Sequence, residues 1–227
     1  MLSTTPVPGT AAATLRRRLA RMRLYVVTSA AQTRERTEDV VRAAVAGGAD
    51  VVQLRRKGDE GLESFRLAER CRRITAEGGV LLVINDRLDI AMGVDADGVH
   101  LGQDDLPLQL ARSLWPGHIV GRSTHSIGQA LAAQTEGADY IGVGPVHATP
   151  TKPGRPATGL EFVSDVAQTI AIPWVAIGGI DAGTVDAVLR AGARAVAVVR
   201  AVADAGDPEH AARALRRRVI AGGGGEP

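Results

Sequence analysis

The sequence predicts an α/β fold, a single-domain (β/α)8 TIM barrel, and three observations carry that expectation. Short apolar runs alternate with amphipathic stretches from residue 24 onward, several of those stretches end on one recurring glycine joint, and polar residues gather just past the apolar runs. The apolar runs fall at 24–28, 51–54, 80–84, 98–101, 119–122, 140–143, 174–177 and 195–199, which makes eight candidate strands. Between them lie helical stretches such as 38–46, with Val40, Val41, Ala44 and Val45 on one face, and 184–190, with Val185, Val188 and Leu189. The joints Gly48-Ala49-Asp50, Gly137-Ala138-Asp139 and Gly192-Ala193-Arg194 each place a glycine where a helix needs a left-handed residue before the next strand. A spacing of about 25 residues per βα unit suits a compact barrel. An open, doubly wound sheet is the alternative that strand counting leaves standing.

The 227 residues are enough for a sizeable core, and no charged or Pro/Ser-rich linker divides them, so one domain is expected. Its expected limits are a flexible N-terminal arm at 1–22, the barrel at 23–220 and a disordered Gly-rich tail at 221–227. The chain is 45% hydrophobic with only 3% aromatic residues, a composition for buried parallel strands rather than for stacking on nucleic acid bases. Net charge is +2, and the basic runs Arg16-Arg17-Arg18 and Arg216-Arg217-Arg218 read as solvated helix faces or frayed ends, with no nucleic-acid motif beside them. The single Cys71 excludes an internal disulfide and falls at helical spacing with Leu67 and Ile74, the position of a small buried hydrophobe. Neither a signal peptide nor an 18-residue apolar span is evident, so no membrane partner is expected and the cytoplasm is the simplest address. A homo-oligomer is compatible with all of this.

In a barrel of this kind, side chains just past the C-terminal end of each strand face the active site. Alternation along 53–57 places Gln53, Arg55 and Lys57 on one side and Leu54 and Arg56 on the other. An arginine fork and a lysine point charge converging beside an amide suit a diphosphate, whereas the plain alternative is a surface salt-bridge cluster. Asp86 follows the third run and Asp105 the fourth. Singly, each suits a helix N-cap, Asp105 especially with Pro107 after it; as a pair on neighbouring strand ends, completed by substrate phosphate oxygens, they suit Mg2+. Zinc would ask for His or Cys at characteristic spacing.

The loop 144–159 is long for a βα connection and rich in prolines, hydroxyls and cations, which reads as a shaped binding lid with Thr149 and Thr151 as donors and Lys152 as a third cation. Gly178-Gly179 and the Val199-Arg200 backbone offer amides where many barrels hold a monophosphate. His100, His125 and His147 show no metal spacing and read as structural or solvent-facing.

Together these motifs resemble the thiamine phosphate synthase family over nearly the whole barrel. The most specific pieces are Gln53-Leu54-Arg55-x-Lys57, Ile84-Asn85-Asp86, the run from Asp97 through His100 and Gln103 to Asp105, Gly144-Pro145 followed by Thr149-x-Thr151-Lys152, and Ile177-Gly178-Gly179-Ile180. The resemblance implies a transferase that joins hydroxymethylpyrimidine diphosphate to hydroxyethylthiazole phosphate, giving thiamine phosphate and diphosphate. It implies that Gln53, Arg55, Lys57, Asn85, Ser123 and Lys152 hold the pyrimidine diphosphate, with Arg55, Lys57, Ser123 and Lys152 as the catalytic group. Asp86 and Asp105 would bind Mg2+, and Thr149, Thr151, Gly179, Val199 and Arg200 would hold the thiazole phosphate. Two positions depart from the family's common pattern: Arg56 stands for a frequent Glu and Arg200 for a small Ser. Alternatives on the same barrel are a thiazole tautomerase, which His125 would serve, and a non-catalytic regulator. Neither requires the cationic trio together with both carboxylates.

Overall fold

A computed structural model of the chain describes residues 8–28, 34–56, 61–149 and 156–223. The elements run α1 (Pro8–Ala20), β1 (Leu24–Val27), α2 (Arg34–Ala46), β2 (Val51–Leu54), α3 (Gly61–Glu77), β3 (Leu81–Asn85), α4 (Leu88–Gly93), β4 (Gly98–Leu101), α5 (Leu108–Leu114) and β5 (Ile119–Thr124). They continue with α6 (Ile127–Thr135), β6 (Tyr140–Val143), α7 (Gly159–Thr169), β7 (Trp174–Ile177), α8 (Val185–Arg190), β8 (Val196–Val198), α9 (Arg200–Ala203) and α10 (Pro208–Gly222). The strands pair in sequence order and β8 returns to β1, closing an eight-stranded parallel barrel. This decides for the barrel over the open sheet. Each expected strand is present, four with the expected bounds and four with ends moved by a residue or two. The three glycine joints take left-handed conformations, at φ 86° for Gly48, 85° for Gly137 and 106° for Gly192.

Period-two alternation sorts the strand residues into two cores. Leu24, Val26, Val52, Leu54, Leu82 and Ile84 face outward under the helices, where Cys71 is fully buried with Leu67 and Ile74. Tyr25, Val27, Val51, Val83, Tyr140 and Val175 face inward and fill the barrel. The interior alternates large with small: a Cβ on Gly121 would lie 2.2 Å from Cε1 of Tyr140, so glycine is what admits that ring.

The N-terminal arm is corrected from residue 8 onward; residues 1–7 lie outside the described ones. Residues expected to be flexible form α1, and Leu19 and Met22 are buried against the strand starts Val51, Leu81, Ile119 and Ala195. Leu15 and Leu19 lie one helical turn apart, so α1 closes the bottom of the barrel with a narrow apolar stripe that the surrounding arginines obscure in the sequence. Leu19→Ala is expected to cost about 2–5 kcal/mol of stability, read as a lower denaturation midpoint at unchanged slope. A change below about 0.5 kcal/mol, the size of an ordinary surface substitution, would mean that α1 is not a plug. At the other end, α10 continues through Gly222, into the tail expected to be disordered; residues 224–227 lie outside the described ones.

The basic clusters also acquire partners. Aspartates preceding the even strands accept N–H bonds from the odd strands beside them: Asp50 from Leu24 at 2.9 Å, Asp97 from Leu82 at 2.7 Å and Asp139 from Val120 at 2.8 Å. Arginines then brace these carboxylates, Arg16 and Arg112 at Asp139, Arg72 at Asp97 and Arg216 at Asp50. The Gly-Ala-Asp joints at Asp50 and Asp139 therefore serve twice, ending a helix and stapling two strands at the barrel's closed end. Among the described residues, no helix is long and apolar enough to cross a membrane.

Candidate active site

At the open end, where the strands finish, lies a cavity of about 330 Å³. Gln53, Arg55, Asn85, Ser123, Thr149, Gly179, Val199 and Arg200 all line it, so eight of the residues singled out from sequence converge on one space. Lys57, Thr151 and Lys152 lie outside the described residues. Asp86 and Asp105 sit in the turns directly after β3 and β4, off the cavity wall.

The first wall is built from β2, β3 and β5. Gln53 and Arg55 point inward while Leu54 joins the outer core, as alternation requires. Arg55 is buried, and its backbone is clasped by Thr28: the Arg55 N–H donates to Thr28 Oγ1 at 3.0 Å, and the Thr28 hydroxyl donates to the Arg55 carbonyl at 3.4 Å. Burial pulls the guanidinium pKa down, and the charge of Asp86 opposes that shift. An arginine keeps its proton regardless, so Arg55 presents a charge short of water and suited to an anion.

Asp86 takes a left-handed backbone at φ 62°, uncommon for a residue with a side chain. Its N–H donates to the His100 carbonyl at 2.9 Å, tying the turn to β4. Asp105 Oδ2 accepts the Gly102 N–H at 2.6 Å, and the β4–α5 loop is fastened to β5 by Gln103 Nε2 donating to the Ser123 carbonyl at 2.6 Å. Neither carboxylate caps the helix that follows: the N-cap positions of α4 and α5 are Arg87 and Pro107, without side-chain caps. The helix-cap reading of both aspartates is thereby removed. Among the described residues, no cluster of three or more His, Cys, Asp or Glu can hold a metal, so a cation here would need oxygens from a ligand. Two hard carboxylates on adjacent strand ends fit a cation that is shared with a phosphate.

The second wall comes from β6, β7 and β8. Gly179 has φ 63°, and a Cβ there would lie 2.7 Å from Cβ of His147, so only glycine lets the β7 loop pass this close. Val199 precedes the first residue of α9, and the opening amides of a helix have no partner within it. Arg200 is exposed at the rim. His125 also lines the cavity; its Nδ1 donates to the Gly144 carbonyl.

Sequence reasoning missed Thr28, Tyr25, Tyr140 and the role of His100. The ring of His100, expected to be structural or solvent-facing, is buried and lines the cavity with both nitrogens hydrogen-bonded. The available signal was parity: Tyr25, Gln53, His100, Ser123 and Tyr140 all fall on inward positions of their strands.

Fold and site together define a (β/α)8-barrel enzyme whose cavity opens at the strand ends, with a buried arginine in its wall. A family model described as "Thiamine monophosphate synthase" matches residues 24–202, and the chain belongs to that family. It is 52% identical over 202 residues to the thiamine-phosphate synthase of Thermus thermophilus, covering 88% of this chain and 98% of the relative. The thiamine-phosphate synthase of Thermobifida fusca is 47% identical over 211 residues, with 92% and 97% covered. Among solved structures, thiamine phosphate pyrophosphorylase from Pyrococcus furiosus superposes with a TM-score of 0.83 at 35% identity, over 90% of this chain and 98% of that one.

Proposed function

We propose that the chain is a transferase of thiamine biosynthesis that condenses hydroxymethylpyrimidine diphosphate with hydroxyethylthiazole phosphate. The observation that carries this reading is one cavity with two dissimilar walls, Arg55, Asn85, Gln53 and Ser123 on one side and Thr149, Gly179, Val199 and Arg200 on the other. One space with two anion-holding walls is what joining two phosphorylated molecules requires. The names of relatives sharing about half of the sequence support the same assignment over the tautomerase and the regulator.

In this reading Arg55 and Ser123, with Lys57 and Lys152, hold the diphosphate. The bond between the pyrimidine methylene carbon and the diphosphate oxygen breaks, and the electron pair leaves with the diphosphate. The thiazole nitrogen then donates its lone pair to the methylene carbon, forming the C–N bond with no proton transfer. That balance calls for anion holders and asks for no general base. Asp86 and Asp105 would hold Mg2+, which neutralises charge on the departing diphosphate when bound. Thr149, Gly179 and the Val199-Arg200 amides, with Thr151, would seat the thiazole phosphate and align the two rings. Soluble phosphorylated substrates suit the cytoplasmic address expected from the sequence.

The test is purified protein with both substrates and Mg2+, followed by chromatography for thiamine phosphate and diphosphate. Equal amounts of both products are expected. A folded protein that turns over neither substrate would overturn the reading, as would conversion of the thiazole phosphate alone to an isomer.

A further inference from the structure

Across the cavity floor, five buried side chains from five strands form one unbroken chain. Gln53 Nε2 lies 2.7 Å from Tyr25 Oη, which lies 2.8 Å from Tyr140 Oη. Tyr140 Oη lies 2.9 Å from His100 Nδ1, and His100 Nε2 lies 2.9 Å from Ser123 Oγ. All five are at most 9% exposed, so the chain has protein rather than bulk water around it.

Donor accounting gives this chain a direction. The amide nitrogen of Gln53 only donates, so Tyr25 accepts there and spends its one hydrogen on Tyr140. Tyr140 then spends its hydrogen on His100 Nδ1, which must be bare. The ring is therefore the neutral tautomer with its hydrogen on Nε2, and that hydrogen goes to Ser123 Oγ. Ser123, accepting from below, has its own hydroxyl hydrogen left for the cavity. A protonated His100 would reverse the Tyr140 and Tyr25 hydroxyls and drive the last hydrogen against the Gln53 N–H. Burial raises the pKa of both phenols, so they remain neutral donors.

We propose that Tyr25, Tyr140 and His100 form a one-way hydrogen-bond relay that holds Ser123 as an obligate hydrogen-bond donor to the departing diphosphate. The three are positioning residues and need not touch the diphosphate. A phosphate oxygen only accepts, and a free serine hydroxyl can turn away from it; the relay removes that freedom before substrate arrives. The role assigned to Ser123 rests on the proposed reaction, whereas the direction of the relay does not.

Two measurements separate these. In the resting protein, 15N NMR of labelled histidine, with the His100 signal assigned by its loss in His100→Gln, is expected to show the Nε2–H tautomer. A dominant Nδ1–H tautomer or a charged ring at neutral pH would overturn the relay whatever reaction the protein catalyses. In steady-state kinetics, Ser123→Ala is expected to lower kcat about 100-fold, as loss of one donor to a developing anion does. Tyr140→Phe, which leaves Ser123 in place but misdirected, is expected to lower kcat about tenfold with little change in KM. The double variant should be no slower than Ser123→Ala, because the tyrosine acts through the serine. Multiplied effects in the double variant would show that Tyr140 acts independently and would overturn the proposal.

Discussion

Arg55→Ala is expected to lower kcat/KM by about 10²- to 10³-fold, the loss that follows removal of one preorganised donor from a developing anion. The magnitude follows from the burial of Arg55 and its place on the cavity wall, where its charge is poorly screened. The fold should survive, because the Thr28 clasp holds the main chain at position 55 and is indifferent to the side chain. Arg55→Lys keeps the charge but loses the planar fork, and should recover about a tenth of the activity or less. Kinetics with the diphosphate substrate varied, beside a circular dichroism melt, check both statements. A loss below tenfold in a folded Arg55→Ala protein would return Arg55 to the salt-bridge reading.

Asp86→Asn should lower the rate by about 10²-fold, in the range found when one charge stabiliser is removed, and raise the Mg2+ concentration needed for half-maximal rate. Asparagine is the informative replacement because residue 86 sits at φ 62°, which asparagine tolerates and alanine does not. Alanine would mix backbone strain of about 1–2 kcal/mol with loss of the carboxylate. Calorimetric titration with Mg2+ in the presence of inorganic diphosphate gives a readout independent of turnover and should show weakened binding. Unchanged rate and unchanged Mg2+ dependence would remove Asp86 from the proposed cation site.

The strands and their order were legible in the amino-acid chain, as were the glycine joints, the inward placement of Gln53 and Arg55 and the two carboxylates after β3 and β4. These are local properties. Alternation along a strand, a left-handed residue at a helix end and the residue types just past a strand each depend on a few neighbours. The reading of the N-terminal segment failed because the value of two leucines among arginines depends on an open barrel end beneath them, which no local window contains. The Arg-Asp braces were invisible for the same reason; Arg16 and Asp139 are 123 residues apart.

By itself, then, the sequence determined a parallel barrel with polar strand ends, and its motifs pointed to the family. Only the tertiary structure decided which inward residues share a layer. Tyr25 and Tyr140, 115 positions apart, meet because the closed barrel brings β1 and β6 to opposite sides of one interior and because Gly121 leaves room for the ring. Alternation says that a side chain points inward, but the stagger of the closed sheet sets how high it stands. That height places His100 between Tyr140 and Ser123 and turns five separate inward residues into one directed chain along the cavity floor.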